Sequence, residues 1–411
     1  MGGDILYQIQ KEQVEGQKTL LIPAMFDNHF PLMKFAFCSD EYYPVILENT
    51  ENIVETALQY INNDVCNPCV LNIGQILCAL KSGQFDLKNT LLLMPTFGDR
   101  CIGSNYTELL KKALKKAQIP DVQVITFSVK SGEEDLKVHM QYFMFLRAFF
   151  SMQYGDLLLF LKQQIRPYEH EKGATDACYE KWIATLSEDF RTGKHLSPFL
   201  LKKNFQAIIA DFSSIKRDKK PKPRIGIVGE LFTRYCSLGN RNLVAYLESQ
   251  GCETFTNGLA YYFLYYIDCH RNEATGIMRF GYDALASYIL MFQKTMLKCL
   301  KKAGLFAFTD YATLKKQYGK EIMQRDSVGD GWLISLDTYG CIQHGITDFL
   351  GVQSFRCIPS HIYGHGQYMS MVRKWGGRIV SLDYDSSISQ VNIENRIHLL
   401  IDEAKENYTE K

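Results

Sequence analysis

Short apolar runs alternate with amphipathic segments along the first third of the chain. Four runs, KTLLIPAM, PVILEN, NTLLLMPTFGD and VQVITFSV, have the length and the apolar continuity of buried β-strands. The segments VLNIGQILCALKSG and TELLKKALKKA lie between them and have the periodicity of amphipathic helices, the first ending at Gly83. Because such alternation is typical of a parallel sheet covered on both faces, residues 1–132 are predicted to form an N-terminal α/β domain.

The pattern becomes helical over residues 133–215, where a long apolar stretch runs into RPYE (Arg166 to Glu169) and Pro167 ends the helix. The charged, proline-containing run KRDKKPKPR, residues 216–224, is predicted to be a linker. Strand and helix patterns alternate again over residues 225–411, a C-terminal α/β domain with a helical insertion at about 260–304. The sequence therefore predicts two similar α/β units joined across a helical segment.

The composition is that of a globular protein, with 46% hydrophobic and 22% charged residues in 411. A net charge of +1 provides no general field that would attract nucleic acid or anionic lipid. The N-terminal MGGDILYQIQKEQ lacks the apolar core of a secretory signal, and no apolar run approaches the ~20 residues of a membrane span. We therefore expect a cytoplasmic protein that binds neither nucleic acid nor a membrane.

The chain contains 12 cysteines. In a reducing cytosol a disulfide framework is not expected, so metal binding, redox chemistry or simple burial must account for them. Six lie among apolar or helical neighbours and are predicted to be small core residues. These six are Cys38, Cys78, Cys178, Cys252, Cys269 and Cys299.

Three other cysteines lie at predicted strand-to-helix turns: Cys66 in NNDVCNPC, Cys101 in FGDRCIGSNY and Cys357 in SFRCIPSH. Ligands of open α/β sheets bind outside the carboxyl ends of the strands. Free N–H groups and the helix dipole at such turns favour a thiolate. Thiolates are the usual ligands of iron–sulfur clusters, but the spacing alone also fits a zinc site or a redox dithiol, and it favours unrelated core or loop cysteines.

Several of these segments, taken in order, resemble the 2-hydroxyacyl-CoA dehydratase family. The similarity is to its D-component or B-subunit-like branch, which is related to double-cubane iron–sulfur cluster proteins. It extends from the KTLLIP strand to the last helix. The segments that carry it are NNDVCNPCVLNIGQILCALKSG, FGDRCIGSNYTELLKKALKKA, RPYE, VGELFTR, GDGWL, SFRCIPSHIYGHG and LDYDSSISQVNIENRIHLL.

The resemblance implies that Cys66, Cys101 and Cys357 bind a 4Fe-4S cluster in the cleft between two flavodoxin/Rossmann-like parallel-sheet domains. It further implies an actin-like, ATP-dependent activator protein that delivers a low-potential electron, and a homodimer or a heterodimer with a related subunit. In dehydratases of this family the electron enters a 2-hydroxyacyl-CoA, and the resulting ketyl radical expels the hydroxyl group. The chain is accordingly expected to be a lyase component with an acyl-CoA substrate.

Two alternatives remain open. One is an ATP-coupled reductase of small molecules with an 8Fe-9S double cubane, and the other is a non-catalytic electron-transfer or structural subunit. Cys69 is an additional candidate ligand, because CNPC stands where the branch has CYPA. Arg100 and Arg356 directly precede two of the ligands and would raise the potential of a cluster if they pointed inward, or else they are solvated loop residues. Cys341 is expected in the core.

Candidates for proton transfer are less specific. His361 and His365 are four residues apart, which places them on one helix face, either beside the cluster or partly exposed. Glu230 and Arg234 follow a predicted strand and are expected to be either polar site residues or a surface pair.

Overall fold

The computed structural model describes residues 13–95, 101–119, 122–127, 142–192, 196–319 and 328–409. Within these ranges the strands form two four-stranded sheets, with orders β2-β1-β3-β4 and β6-β5-β7-β8. All pairings within the sheets are parallel. The predicted α/β architecture with two parallel sheets is confirmed. The strands are β1 (Lys18–Ile22), β2 (Tyr42–Ile46), β3 (Thr90–Pro95), β4 (Gln123–Phe127), β5 (Arg224–Gly229), β6 (Glu253–Phe255), β7 (Asp348–Ser354) and β8 (Arg378–Tyr384).

Helices cover the sheets and connect them. Short 3₁₀ turns precede or follow several of them, and a wide π-type turn spans Ser360–His365. The α-helices are α1 (Phe30–Met33), α2 (Ile53–Leu58), α3 (Asn67–Lys81), α4 (Tyr106–Lys116), α5 (Tyr142–Ile165), α6 (Ala174–Thr192), α7 (Pro198–Ser213), α8 (Leu231–Tyr235), α9 (Ser237–Asn240), α10 (Leu243–Ser249), α11 (Leu259–Glu273), α12 (Gly276–Lys302), α13 (Tyr311–Tyr318), α14 (Leu333–Ile342), α15 (Gly366–Trp375) and α16 (Gln390–Thr409).

Both sheets are buried on both faces, as their nearly continuous apolar strands predict. Along β3, Leu91 and Leu93 pack into a central core, whereas Leu92 packs into a separate outer core against α3 and α4. This alternation follows from strand geometry, in which successive side chains point to opposite faces. The central core contains Leu20 of β1 and Val228 of β5, so the two sheets share it.

The longest apolar helix passes through this shared core. The segment Met144–Tyr168 is long and apolar enough to cross a membrane, and 78% of its most apolar window is buried within the protein. The expectation that no apolar run approaches the length of a membrane span is therefore wrong for this segment. A helix that is apolar all round is either a membrane span or a core helix, and the burial observed here is that of a core helix.

The RPYE run and the predicted linker contact each other. α5 ends at Ile165 and a 3₁₀ turn follows at Arg166–Tyr168, as expected from Pro167. The exposed linker pairs with this turn, because Asp218 N–H donates to the Tyr168 carbonyl at 2.8 Å. Arg166 also donates from Nε and Nη2 to the Glu248 carboxylate of α10, at 2.8 and 3.0 Å. The helical segment is thereby attached to the second sheet unit.

The strand orders determine where a site can form. In the first sheet the chain passes from β1 to the neighbouring β2 and then crosses to β3 on the other side, and β5, β6 and β7 repeat this path. Such a reversal of direction leaves a crevice at the carboxyl ends of the two central strands. Functional side chains are therefore expected at the carboxyl ends of β1, β3, β5 and β7.

Candidate functional site

A cavity of about 80 Å³ lies where loops from the two sheets meet. It is lined from the first half by Cys66 and Cys101, and from the second half by Glu230, Asp330 and Cys357. The volume is several times the ~10–15 Å³ that one water molecule needs. The three cysteines singled out in the sequence thus line one pocket, at the carboxyl ends of strands from both sheets.

Cys66 and Cys101 both lie at the start of a helical turn. Cys66 is the N-cap residue of α3, with Pro68 in the first turn, and its Sγ lies 2.6 Å from Tyr106 Oη. Cys101 caps the 3₁₀ turn Ile102–Asn105, and its Sγ accepts a hydrogen bond from Gly103 N–H at 3.3 Å. Backbone N–H groups at such turns have no partner within the helix, so they are available to an anionic sulfur.

Cys357 follows β7 and precedes the π-type turn Ser360–His365. Its N–H donates to the Ser354 carbonyl at 3.0 Å, and its carbonyl accepts from His361 N–H at 2.9 Å. The neighbouring Pro359 packs against Gly329, where a Cβ atom would come within 2.7 Å of the proline ring. π-type turns are rare, and they occur frequently at functional sites.

The pocket disfavours uncompensated negative charge. Burial raises the pKa of the Cys66 thiol to about 11, and burial also raises the pKa values of the Cys101 and Cys357 thiols. Burial and then the neighbouring Glu230 carboxylate raise the pKa of Asp330, whose Oδ1 is buried without a hydrogen-bond partner. A bound cation would reverse these preferences, because it stabilises thiolates and carboxylates.

Glu230 is held in one orientation by the backbone around it. Its Oε1 accepts from Phe232 N–H and its Oε2 from Thr233 N–H, both at 2.9 Å, so it caps α8 while it lines the pocket. The preceding Gly229 has φ +132°, and a Cβ atom there would lie 2.0 Å from the Val352 carbonyl oxygen. Only glycine allows β5 to pass this close to β7 and turn into Glu230.

The alternative that Glu230 and Arg234 form a surface pair is wrong. Arg234 is only 3% exposed and pairs with Asp337 of α14 instead of with Glu230. Asn257 Nδ2 donates to the other oxygen of Asp337 at 2.6 Å. The side chain points inward to the Asp337 carboxylate of α14, which supplies a compensating charge.

The other histidine and cysteine candidates do not line the pocket, although His361 Nδ1 is 2.8 Å from the Cys357 carbonyl oxygen. His361 and His365 are exposed, with ring centroids 6.0 Å apart, and neither lines the pocket. Cys69 is fully buried in the outer core between α3 and the first sheet, and Cys341 is buried in the central core. Arg100 lies outside the described residues. Of the six cysteines expected in the core, three are buried (Cys252, Cys269, Cys299) and three are half-buried (Cys38, Cys78, Cys178).

Asp330 and Tyr106 are pocket residues that the sequence patterns did not single out. Asp330 lies in GDGWL between Gly329 and Gly331, both with positive φ. An acidic residue between two such glycines marks a special turn, and that signal could have identified it. Tyr106 is the first residue of α4, and no pattern within the sequence distinguishes it from a core tyrosine.

The chemistry of the donor set fits an iron–sulfur cluster. Three thiols from separate loops line one cavity, and thiolates are the usual ligands of such clusters. Within the described part of the chain, no three His, Cys, Asp or Glu side chains lie close enough together to hold one metal ion.

Comparisons with known proteins add no family assignment. No protein-family model matches the chain, and no curated protein matches it.

Proposed function

We propose that this protein binds a 4Fe-4S cluster through Cys66, Cys101 and Cys357 and is the iron–sulfur component of a 2-hydroxyacyl-CoA dehydratase-like system. One observation supports this above all. These three cysteines, which are distant in sequence, line one pocket at the carboxyl ends of strands from both sheets. Catalytic residues of parallel-sheet proteins are found at that edge.

When bound, the cluster would supply the low-potential electron with which a substrate carbonyl is reduced. Three thiolates are one fewer than the four that usually hold a cubane, which is expected to leave one iron accessible to the substrate. The hydrogen bond from Gly103 N–H would stabilise the Cys101 sulfur and set its orientation.

The carboxyl groups of the pocket have separate tasks in this proposal. Glu230 is engaged in capping α8 and provides a fixed negative charge. Asp330 Oδ1 has no hydrogen-bond partner, and the raised pKa of Asp330 allows this oxygen to hold a proton near neutral pH. It is our candidate for the acid that protonates a departing hydroxyl group.

The partners in the proposal come from the family resemblance. They are an ATP-dependent, actin-like activator that delivers the electron, and a second copy or a related subunit that completes a dimer. The double-cubane alternative depended on Cys69. Because Cys69 is fully buried in the outer core and does not line the pocket, no observation favours that alternative, and we propose the single cubane.

Iron and sulfide analysis of the anaerobically purified full chain tests the proposal. The wild type should contain about four irons per chain, and Cys66→Ala, Cys101→Ala and Cys357→Ala should each lose most of them. The matched controls Cys69→Ala, Cys252→Ala and Cys341→Ala remove buried thiols outside the pocket and should retain the iron. About eight irons per chain would support the double cubane, and a wild type without iron would refute the proposal.

A further inference from the structure

Arg356 is the sole lysine or arginine among the described residues that line the pocket. It lies directly before Cys357, and its side chain forms an ion pair with Asp64, two residues before Cys66. The pair therefore connects the loops that carry two of the pocket cysteines, one from each half of the chain. It stands at the mouth of the cavity, because both side chains are well exposed, at 48% for Arg356 and 62% for Asp64.

The backbone of Arg356 is in an unfavourable conformation for its residue type. Its φ is +68°, in the left-handed region that glycine adopts freely and side chains with a Cβ atom avoid. The side chain is not buried in a way that would compensate for this strain. Strained residues of this kind concentrate at ligand-binding positions, where the side chain must be held in one direction.

The ion pair with Asp64 is suited to exchange. Pairs between exposed side chains contribute little to stability, because water solvates both partners when they separate. A guanidinium group presents several N–H donors in a planar fork that matches any carboxylate. A carboxylate that arrives from solvent can therefore replace Asp64 at Arg356 at small cost.

We propose that Arg356 selects substrates by binding a carboxylate at the mouth of the pocket, with Asp64 as the internal ligand that the substrate displaces. The exposed apolar side chains Ile102 and Ile358 also line the cavity, so an apolar acyl group that ends in a carboxylate fits it. The half-buried Glu230 carboxylate, which lines the cavity and caps α8, repels a second negative charge. This repulsion orients the acyl group with its carboxylate outward and its neutral end toward the thiols.

The inference rests on the proposed function only in taking this pocket as the reaction site, since anion selection by Arg356 needs no cluster. It can be measured on the full chain after chelation of any metal, with iodoacetate and iodoacetamide as probes. The two reagents alkylate the same thiolate and differ in the carboxylate of the first. The ratio of their rates at one cysteine therefore reports the charge around it and cancels the thiolate fraction.

Peptide mapping would give this ratio at Cys66, Cys101 and Cys357, with the half-buried Cys178 as an internal reference outside the pocket. Arg356→Gly should lower the iodoacetate-to-iodoacetamide ratio at the pocket cysteines about fivefold and leave it unchanged at Cys178. The variant should fold at least as stably as the wild type, because glycine accepts the positive φ. Arg241→Gly is the matched control: Arg241 also has a positive φ, +54°, and does not line the pocket.

The variant Asp64→Asn tests whether Asp64 is the ligand that an incoming carboxylate displaces from Arg356. It should raise the ratio when Arg356 is present and change it much less in the Arg356→Gly background, because the effect of Asp64 acts through the guanidinium. An unchanged ratio in Arg356→Gly, or equal effects of Asp64→Asn in the two backgrounds, would overturn the inference. Neither outcome touches the proposed cluster, which stands or falls on the iron content of the cysteine variants.

Discussion

At the scale of single residues, charged side chains are buried both in the pocket wall and in the core behind it. Arg234 and Asp337 form an ion pair in which both side chains are almost completely excluded from water. Nε and Nη2 of Arg234 have no hydrogen-bond partner, and Asp337 is its one ion-pair partner among the described residues, with the Tyr235 ring 4.6 Å away. Removing either member of such a pair strongly destabilises the fold, because the remaining charge is left unpaired in a medium of low dielectric constant.

We therefore expect Asp337→Ala to lower the free energy of unfolding by about 3–5 kcal/mol. Chemical denaturation of the purified variant would measure it. Lys181→Ala is the control, because Lys181 pairs with Asp211 at the surface, where such pairs contribute less than about 1 kcal/mol. Equal losses in the two variants would show that the buried pair does not stabilise the fold.

For the candidate site residues, the sequence predicted their place at strand ends better than it predicted how deeply each side chain is buried. Cys66, Cys101 and Cys357 could be identified because each follows or precedes a recognisable element, and strand ends meet at one edge of a sheet. The burial of Arg234 could not be predicted, because one turn of a short helix carries no periodicity that distinguishes an inward side chain from an outward one. The sequence also could not distinguish the environment of Cys69 from that of Cys66. Cys69 lies three residues further along, in α3, and the helical rotation places its side chain in the outer core.

At the scale of elements, the end of α14 packs on the segment between α12 and α13. The ring of His344 lies 5.0 Å from that of Phe306, and its Nε2 accepts from the N–H of Thr309 at 3.1 Å. Burial, and then the positive charges of Lys301 and Arg224, lower the pKa of His344. The neutral ring is thus the form that folding favours.

The lowered pKa of His344 makes the free energy of unfolding depend on pH. A histidine whose pKa is lower in the folded chain than in the unfolded chain stabilises the fold fully above about pH 6.5, and this contribution is lost as the pH falls below that value. We expect the free energy of unfolding to decrease less between pH 7.5 and 5.5 in His344→Asn than in the wild type. His170→Asn, at a side chain that is 75% exposed, is the control, and identical pH profiles for wild type and His344→Asn would contradict the prediction.

Element boundaries that depend on proline and glycine were predictable, and those that depend on unusual turns were not. α5 ends at Ile165 because Pro167 cannot continue it, and α3 ends just before Gly83. The wide turn Ser360–His365 left no trace in the sequence pattern. Its hydrogen bonds skip one residue more than those of an α-helix, over too short a segment to shift the apolar period.

At the scale of the whole molecule, two sheets of the same strand order share a central core and direct their carboxyl edges at one cavity. Two α/β units were predictable from the alternation of patterns. Their shared core was not, because the apolar residues of β1, β5 and α5 indicate burial without indicating which surfaces bury one another. That arrangement is nevertheless what gathers thiols from both halves of the chain at one pocket.

The central claim is that these three thiols together hold a cluster, and differential alkylation tests it most directly. The iron-loaded and the metal-free full chain would be treated anaerobically with iodoacetamide, and each cysteine would be quantified by peptide mapping. We predict that iron loading protects Cys66, Cys101 and Cys357 together, while the half-buried Cys78 and Cys178 are labelled equally in both forms. Labelling of any of the three pocket cysteines as fast in the iron-loaded chain as in the metal-free chain would contradict the account.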